Sequence, residues 1–532
     1  MGTSHEVDVV VVGAGFSGLY AVHLLRKQGL SIQGFEAGDD VGGTWYWNRY
    51  PGARCDIESI YYCYSWDEEL AREWQWSERY AAQPEILAYA NRVADKHDLR
   101  SSFIFNTRVE AAEWDDEARR WTVRTSDGET WSARFVVLGV GALSAANIPD
   151  MPGLANYTGA IYHTGQWPHE GVDFSGLKVG VIGTGSSGIQ VIPKIAEQAA
   201  SMTVFQRTAN FTMPAHNTPA DPEQHAEVVE DWAGVRQRMR QSSYGLDVEP
   251  PTQSLLEVPV EEARATFDEK WQEGTLTSIL QAYNDIVRNP ESNQIAADYV
   301  RDKIREIVHD PQVAEDLVPS GYHFGTKRPC LDTNYFDTFN RENVELVNVR
   351  RDPIVEVTAT GIRTEETERE FDAIVFATGF DAMTGPVLSI DIHGRETTMA
   401  EKWADGPVGY LGLQSAGFPN LFTVTGPGSP SVLSNVVVSI EQHVEFIADL
   451  LAHLREQGAE VVEATPEAET EWSDHVQQVA GYTLYPQTDS WLMGANIPGK
   501  PRVFLPYIGG VGNFRAKCDA VAANGYEGFR IS

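Results

Sequence analysis

Long hydrophobic runs are missing from this chain. No apolar stretch approaches the roughly 20 residues that a membrane-spanning helix requires. Cysteine is scarce: Cys55, Cys63, Cys330 and Cys518 are the only four, and none forms a C-x-x-C pair. That excludes a redox dithiol and a secreted disulfide scaffold, and suits a reducing compartment. Positive charge is also sparse, with 41 Lys and Arg against 76 Asp and Glu and a formal charge of -35. Such a surface repels nucleic acid and anionic membranes, so neither is expected as a partner, and an anionic cofactor has to be held by local cations. No metal ligands are assigned, and no obligatory protein partner is inferred. The chain starts almost directly on the largely apolar strand Val7 to Val12, too short for a signal-peptide core, and the expected location is the cytoplasm.

What is present points to nucleotides. With 532 residues the chain exceeds what one core usually supports, so two or three domains are expected. Two glycine fingerprints each follow an apolar strand and open a helix. The first is Gly13-Ala-Gly15-Phe16-Ser17-Gly18, after Val7 to Val12; the second is Gly183-Thr-Gly185-Ser186-Ser187-Gly188, after Val179 to Ile182. Glycines let the backbone close on a pyrophosphate, and the helix N-terminus holds the anion. In the first unit, strand Ser31 to Phe35 ends on Glu36, where a carboxylate can accept hydrogen bonds from ribose hydroxyls. In the second unit, strand Thr203 to Phe205 is followed by Gln206, Arg207 and Thr208 and by no acid. A guanidinium and a hydroxyl at that place suit a 2'-phosphate, which a carboxylate would repel. The first site therefore reads as FAD and the second as NADPH, and the fold class as α/β, two Rossmann-like dinucleotide-binding domains with a helical insertion.

The remaining segments distribute around these units. Val41 to Asp56 is dense in Gly, Pro and aromatics, including Gly43, Thr44 and Trp45, and reads as a loop facing something flat such as an isoalloxazine. Ser101 to Val137 alternates as antiparallel hairpins do. Tyr157 to Pro168 contains Gly159, an exposed-looking His163 and Trp167 where the first unit hands over to the second. The Glu- and Gln-rich sequence of 219–318 reads as a helical insertion within the second domain. Gly321 to Pro329 places Lys327 and Arg328 after a glycine bend, cations that need a counter-charge such as phosphate. Gly426 to Leu433 opens a helix expected over Ser434 to Ala448. Trp491 opens a second aromatic loop and, on the residues alone, reads as packing. The expected boundaries give the first domain 1–143 and 372–532, the second 144–218 and 319–371, and the insertion 219–318.

The run Tyr157 to Pro168 resembles the F-x-G-x-x-x-H-x-x-x-W-P/D fingerprint of the type I Baeyer-Villiger monooxygenases, with Tyr157 standing where that pattern has Phe. Flanking it are the two glycine motifs. The segments 42–52, 325–328 and 494–500 are also similar to that family, and Arg54-Cys55-Asp56 and Ser429 to Val432 resemble its phenylacetone and steroid monooxygenases. The resemblance implies FAD, NADPH and molecular oxygen as reactants, and a flavin C4a-peroxide that attacks a ketone to give an ester or lactone. It implies Arg328 as the active-site cation, positioned by Asp56. Arg207, Thr208 and Lys327 match contacts to the 2'-phosphate, Trp491 a residue contacting the nicotinamide cofactor, and His163 and Trp167 linker residues. Cys55, Ile57, Leu143, Val432, Leu433 and Leu492 match substrate-pocket positions, all apolar, which favours an aryl, long-chain or cyclic ketone. The rival readings are a flavin monooxygenase acting on nitrogen or sulfur, and a dinucleotide-sensing protein without turnover.

Overall fold

Val9, Val10 and Val11 have no solvent exposure because the strand they form, His5–Val12, lies inside a sheet with parallel neighbours on both sides. A strand covered on both faces needs a continuous apolar run and not an alternating one. The computed structural model describes residues 5–532, and the first four residues of the expected first domain lie outside them. Across the first sheet the order is Asp391–His393, Val109–Asp115, Arg120–Thr125, Thr130–Leu138, His5–Val12, Ile32–Phe35 and Phe103–Ile104, with Leu421–Thr423 also pairing with Thr130–Leu138. From Val109 onward the alternating segment forms antiparallel pairs, as its period-two pattern requires, whereas Phe103–Ile104 joins the sheet edge in parallel with Ile32–Phe35.

The second sheet is parallel throughout, ordered Val344–Asn348, Ser201–Gln206, Lys178–Ile182, Ala373–Phe376 and Ala160–His163. Ala373–Phe376 is hydrogen-bonded on both sides within this sheet, so the boundary expected before residue 372 falls after the strand. There the chain crosses back beside its first crossing. Gly379 O accepts from Asn147 N–H at 2.9 Å, Ala145 O from Asp381 N–H at 2.8 Å, and Ala142 O from Met383 N–H at 2.7 Å. The two connections between domains form one antiparallel ribbon.

The helical insertion does not belong to the second domain alone. Helices Pro222–Glu230 and Trp232–Gln241 bury Val228, Trp232, Val235 and Met239 in the core of the first domain. Helices Val260–Glu273, Pro290–Ile307 and Pro311–Leu317 bury Phe267, Trp271, Val300 and Leu317 in the second. The helix expected over Ser434 to Ala448 runs from Val436 to Gln457, begun by the Asn435 side chain and ended by Gly458 at φ 67°. Its last turns place Leu450, Leu451 and Leu454 inward, which prolongs the helix beyond the expected end.

Candidate active site

Each glycine turn is built the same way. Gly15 and Gly185 cap helices Phe16–Lys27 and Ser186–Ala196 in extended conformation, and no side chain caps either helix. The leading N–H groups and the positive end of the dipole are left for an anion. Gly13 (φ +98°) and Gly183 (φ +109°) need the conformation open to glycine, and a side chain at Gly13 would also lie 2.6 Å from the Gly139 carbonyl. A Cβ at Gly18 would overlap Gly13 O, and one at Gly188 would overlap Gly183 O, so helix and turn are in direct backbone contact. At Gly185, in contrast, a Cβ would meet nothing within 4 Å. This open cradle, which a methyl group would fill, is what close approach of a pyrophosphate requires.

Glu36 is buried beside the first turn. Its Oε2 accepts from Ala14 N–H at 2.7 Å and its Oε1 from Gly38 N–H at 2.8 Å, so the carboxylate also ties the glycine turn to the next loop. Phe16 and Ser17 are buried beneath the turn, and Phe16 O accepts from the Tyr64 hydroxyl at 2.6 Å. Gly43 packs against Gly15, and Thr44 starts a single helical turn, Thr44–Trp47, where only loop was expected. From that turn the loop bridges the domains: Trp45, Cys55 and Ile57 enter the first core, Tyr50 and Ala53 the second. Tyr50 donates to Gln190 Oε1 at 2.7 Å, and Gln190 Nε2 donates back to Arg54 O at 3.1 Å.

Asp56 and Arg328, 272 residues apart, meet in this bridge. Arg328 Nη1 donates to Asp56 Oδ2 at 2.6 Å, Nη2 to Asp56 Oδ1 at 3.2 Å, and Nε to Val432 O at 3.2 Å. Both side chains are largely covered. Three bonds fix the plane of the guanidinium, which offers a permanent positive charge in a water-poor setting. Leu143, Val432, Leu433 and Leu492 converge in one apolar cluster together with Trp491. Leu492 has no exposure and is core, while Cys55 and Ile57 flank Asp56 in the neighbouring cluster. Burial holds the Cys55 thiol well above the usual thiol range, so it stays protonated and apolar in character.

At the second site, Arg207 is exposed, and Lys327 is half-buried with Nζ donating to Asp489 O at 2.7 Å. Burial, then the charges of Arg207 and Arg350, lower the Lys327 pKa. Thr208 Oγ1 accepts from Arg350 Nη2 at 3.1 Å, and Thr208 O from Thr184 Oγ1 at 3.2 Å. Ser186 Oγ lies 3.1 Å from Cys330 Sγ, whose thiol burial pushes up to about 11, and Ser187 is partly buried in the first turn of the same helix. The Trp491 loop is tied at both ends. Thr326 contacts Thr488 and Lys327 contacts Asp489 on one side; Asn496 donates to Phe380 O and Lys500 pairs with Asp381 on the other. Sequence reasoning passed over Gln190, Cys330 and Arg350, whose partners lie on other elements. Counting Val344–Asn348 as the strand beside Ser201–Gln206 is the signal that finds Arg350.

His163 and Trp167 are not exposed; each retains 3% of its surface. The edge strand Ala160–His163 turns the imidazole inward, where Nδ1 accepts from Gly165 N–H at 3.0 Å and Nε2 lies 3.4 Å from Thr378 Oγ1 on the return crossing. Burial lowers its pKa. Trp167 packs between Tyr162 and Phe174. A side chain at Gly159 would press on the Tyr157 ring, whose hydroxyl donates to Phe371 O at 2.8 Å, a bond the fingerprint's Phe does not make.

A sequence-family model described as flavin-binding monooxygenase-like matches residues 6–222. Over 525 residues the chain is 44% identical to a Baeyer-Villiger monooxygenase of Pseudooceanicola batsensis, spanning 98% of this chain and 95% of that protein. A phenazine N-monooxygenase of Lysobacter antibioticus is 40% identical over 526 residues, with coverage of 98% and 96%. Among solved structures, oxidised steroid monooxygenase bound to NADP superposes with a TM-score of 0.94 at 50% identity, covering 99% of both chains. Likeness of that extent, over both sheets, both glycine turns and the helices between them, means that the chain belongs to the Baeyer-Villiger monooxygenase family.

Proposed function

We propose that this protein inserts one atom of O2 beside the carbonyl of an apolar aryl, long-chain or cyclic ketone, giving an ester or lactone. As a family member it is a flavin-dependent NADPH monooxygenase, with FAD at the first glycine turn and the nicotinamide cofactor at the second. The observation that carries the reading is the Asp56–Arg328–Val432 arrangement beside an apolar cluster. Bound FAD supplies the reductive activation of O2, and bound NADPH supplies the hydride. Arg328 supplies a fixed positive charge where negative charge develops on oxygen during attack on a carbonyl. Asp56 orients that charge without a proton transfer. Leu143, Val432 and Leu433, with Leu492 behind them, exclude water and favour an apolar substrate.

The test is oxygen uptake with NADPH and a ketone panel that includes phenylacetone and cyclohexanone, with the extract analysed by mass spectrometry. Ester or lactone in amounts matching NADPH consumed is expected. N-oxide from an aromatic amine with no ester from any ketone would replace the reading with nitrogen oxygenation, as in the phenazine-oxidising relative.

Arg207, Thr208 and Lys327 are assigned to the 2'-phosphate. Neutralising Arg207 or Lys327 is expected to cost about 1.5 to 3 kcal/mol of preference for NADPH over NADH, read as the ratio of kcat/KM values. An unchanged ratio would move the phosphate elsewhere.

A further inference from the structure

Strand Val344–Asn348 lies beside Ser201–Gln206 with Asn348 opposite Gln206, so the segment leaving it emerges next to Arg207 and Thr208. Asn348 shapes that segment: its Oδ1 accepts from Arg350 N–H at 3.1 Å and its carbonyl from the N–H groups of Arg351 and Asp352 at 3.0 Å. The turn sends the Arg350 guanidinium back across the strand ends, where Nη2 donates to Thr208 Oγ1 at 3.1 Å. The adjacent Arg351 is neutralised by Asp316. Among the described residues no such carboxylate pairs with Arg350, nor with Arg207 or Lys327. Asp489, itself paired with Arg502, acts on Lys327 less strongly than Arg207 does, so three cations without a paired carboxylate still repel one another until an anion joins them. The lowered Lys327 pKa reflects burial first and then the charge of Arg207, with a smaller contribution from Arg350.

We propose that Arg350 is a third cation of this site and a determinant of the preference for a nucleotide that carries a 2'-phosphate. The proposal rests on the reading of Arg207, Thr208 and Lys327 as the contacts of that phosphate. One Nη of Arg350 is held by the Thr208 hydroxyl, which orients the planar fork and leaves other N–H groups for phosphate oxygens. Arg207 and Lys327 come from two other segments, so the anion is gripped from three directions.

The FAD-loaded enzyme is titrated calorimetrically with 2',5'-ADP and with 5'-AMP, probes that differ in the 2'-phosphate alone. Arg350→Ala is expected to raise the Kd of 2',5'-ADP about 10-fold and to leave that of 5'-AMP unchanged. Arg350→Lys is expected to recover part of the loss, since an ammonium keeps the charge and not the fork. If Arg350→Ala binds 2',5'-ADP like the unaltered protein while Arg207→Ala does not, Arg350 has no part in the site. Equal losses for both probes also overturn the proposal, because they place the side chain against the adenine or the fold. If neither Arg350→Ala nor Arg207→Ala changes the preference for 2',5'-ADP, the 2'-phosphate reading itself fails.

Discussion

Arg328→Ala is expected to leave slow NADPH oxidation running while ester or lactone formation falls by roughly 10²- to 10³-fold, the usual effect of removing one preorganised charge-stabilising donor. On the proposed reading, hydride delivery and oxygen reduction depend chiefly on the two glycine turns, Gly13 to Gly18 and Gly183 to Gly188, so loss of this one guanidinium slows them without abolishing them. Attack on a carbonyl is different, because on the proposed reading negative charge grows on oxygen beside Arg328 and the apolar cluster of Leu143, Val432 and Leu433. There an aligned guanidinium is worth far more than in water. Asp56→Asn is expected to fall between Arg328→Ala and the unaltered enzyme: an amide keeps the volume and accepts one hydrogen bond, but the bidentate grip at 2.6 and 3.2 Å is lost. Ester yield per NADPH, with flavin content as a check on folding, decides the matter. Full coupling in Arg328→Ala would remove the residue from the chemistry.

Two glycine substitutions one fingerprint apart are expected to fail in different ways. Gly18→Ala puts a methyl group on the Gly13 carbonyl oxygen. Gly13 cannot move aside, because its φ of +98° and its contact with Gly139 hold it. We expect a loss of roughly 3 kcal/mol or more and protein that purifies without flavin. At Gly185 the backbone is extended and a Cβ meets nothing within 4 Å, so alanine there is expected to stay within about 0.5 kcal/mol of the unaltered stability. On the proposed reading the same methyl occupies the approach of the pyrophosphate, and NADPH binding is expected to fall at least tenfold, or about 1.4 kcal/mol. Melting temperature, flavin absorbance and NADPH titration separate the two. Normal NADPH binding by Gly185→Ala would show that the cradle lies elsewhere.

The residue string carried a large part of this. Both βαβ units, the burial of Val9 to Val11, Glu36 at the end of the second strand and the missing acid after Phe205 are properties of contiguous segments. Their backbone geometry is set by local chemistry: glycine where φ is positive or two backbones touch, and apolar runs where a strand is covered on both faces. Composition likewise showed that no stretch is long and apolar enough to span a membrane, and no helix among the described residues is. Tertiary structure decided the rest, because those features depend on which distant segments become neighbours. Ala373–Phe376 joins the second sheet only once Ala160–His163 and Lys178–Ile182 stand on either side of it. The insertion divides between two cores because each helix pair buries its apolar face on the nearest one. His163 and Trp167 look exposed in a Gly- and Pro-bounded segment and are buried because the return crossing and Phe174 cover them. The family resemblance named Arg328 and Asp56, but the bidentate bond between them, the Val432 carbonyl that completes it and the approach of Arg350 to Thr208 arise across 272, 104 and 142 residues of chain. A sequence encodes such contacts only through the order and register of the strands that bring them together.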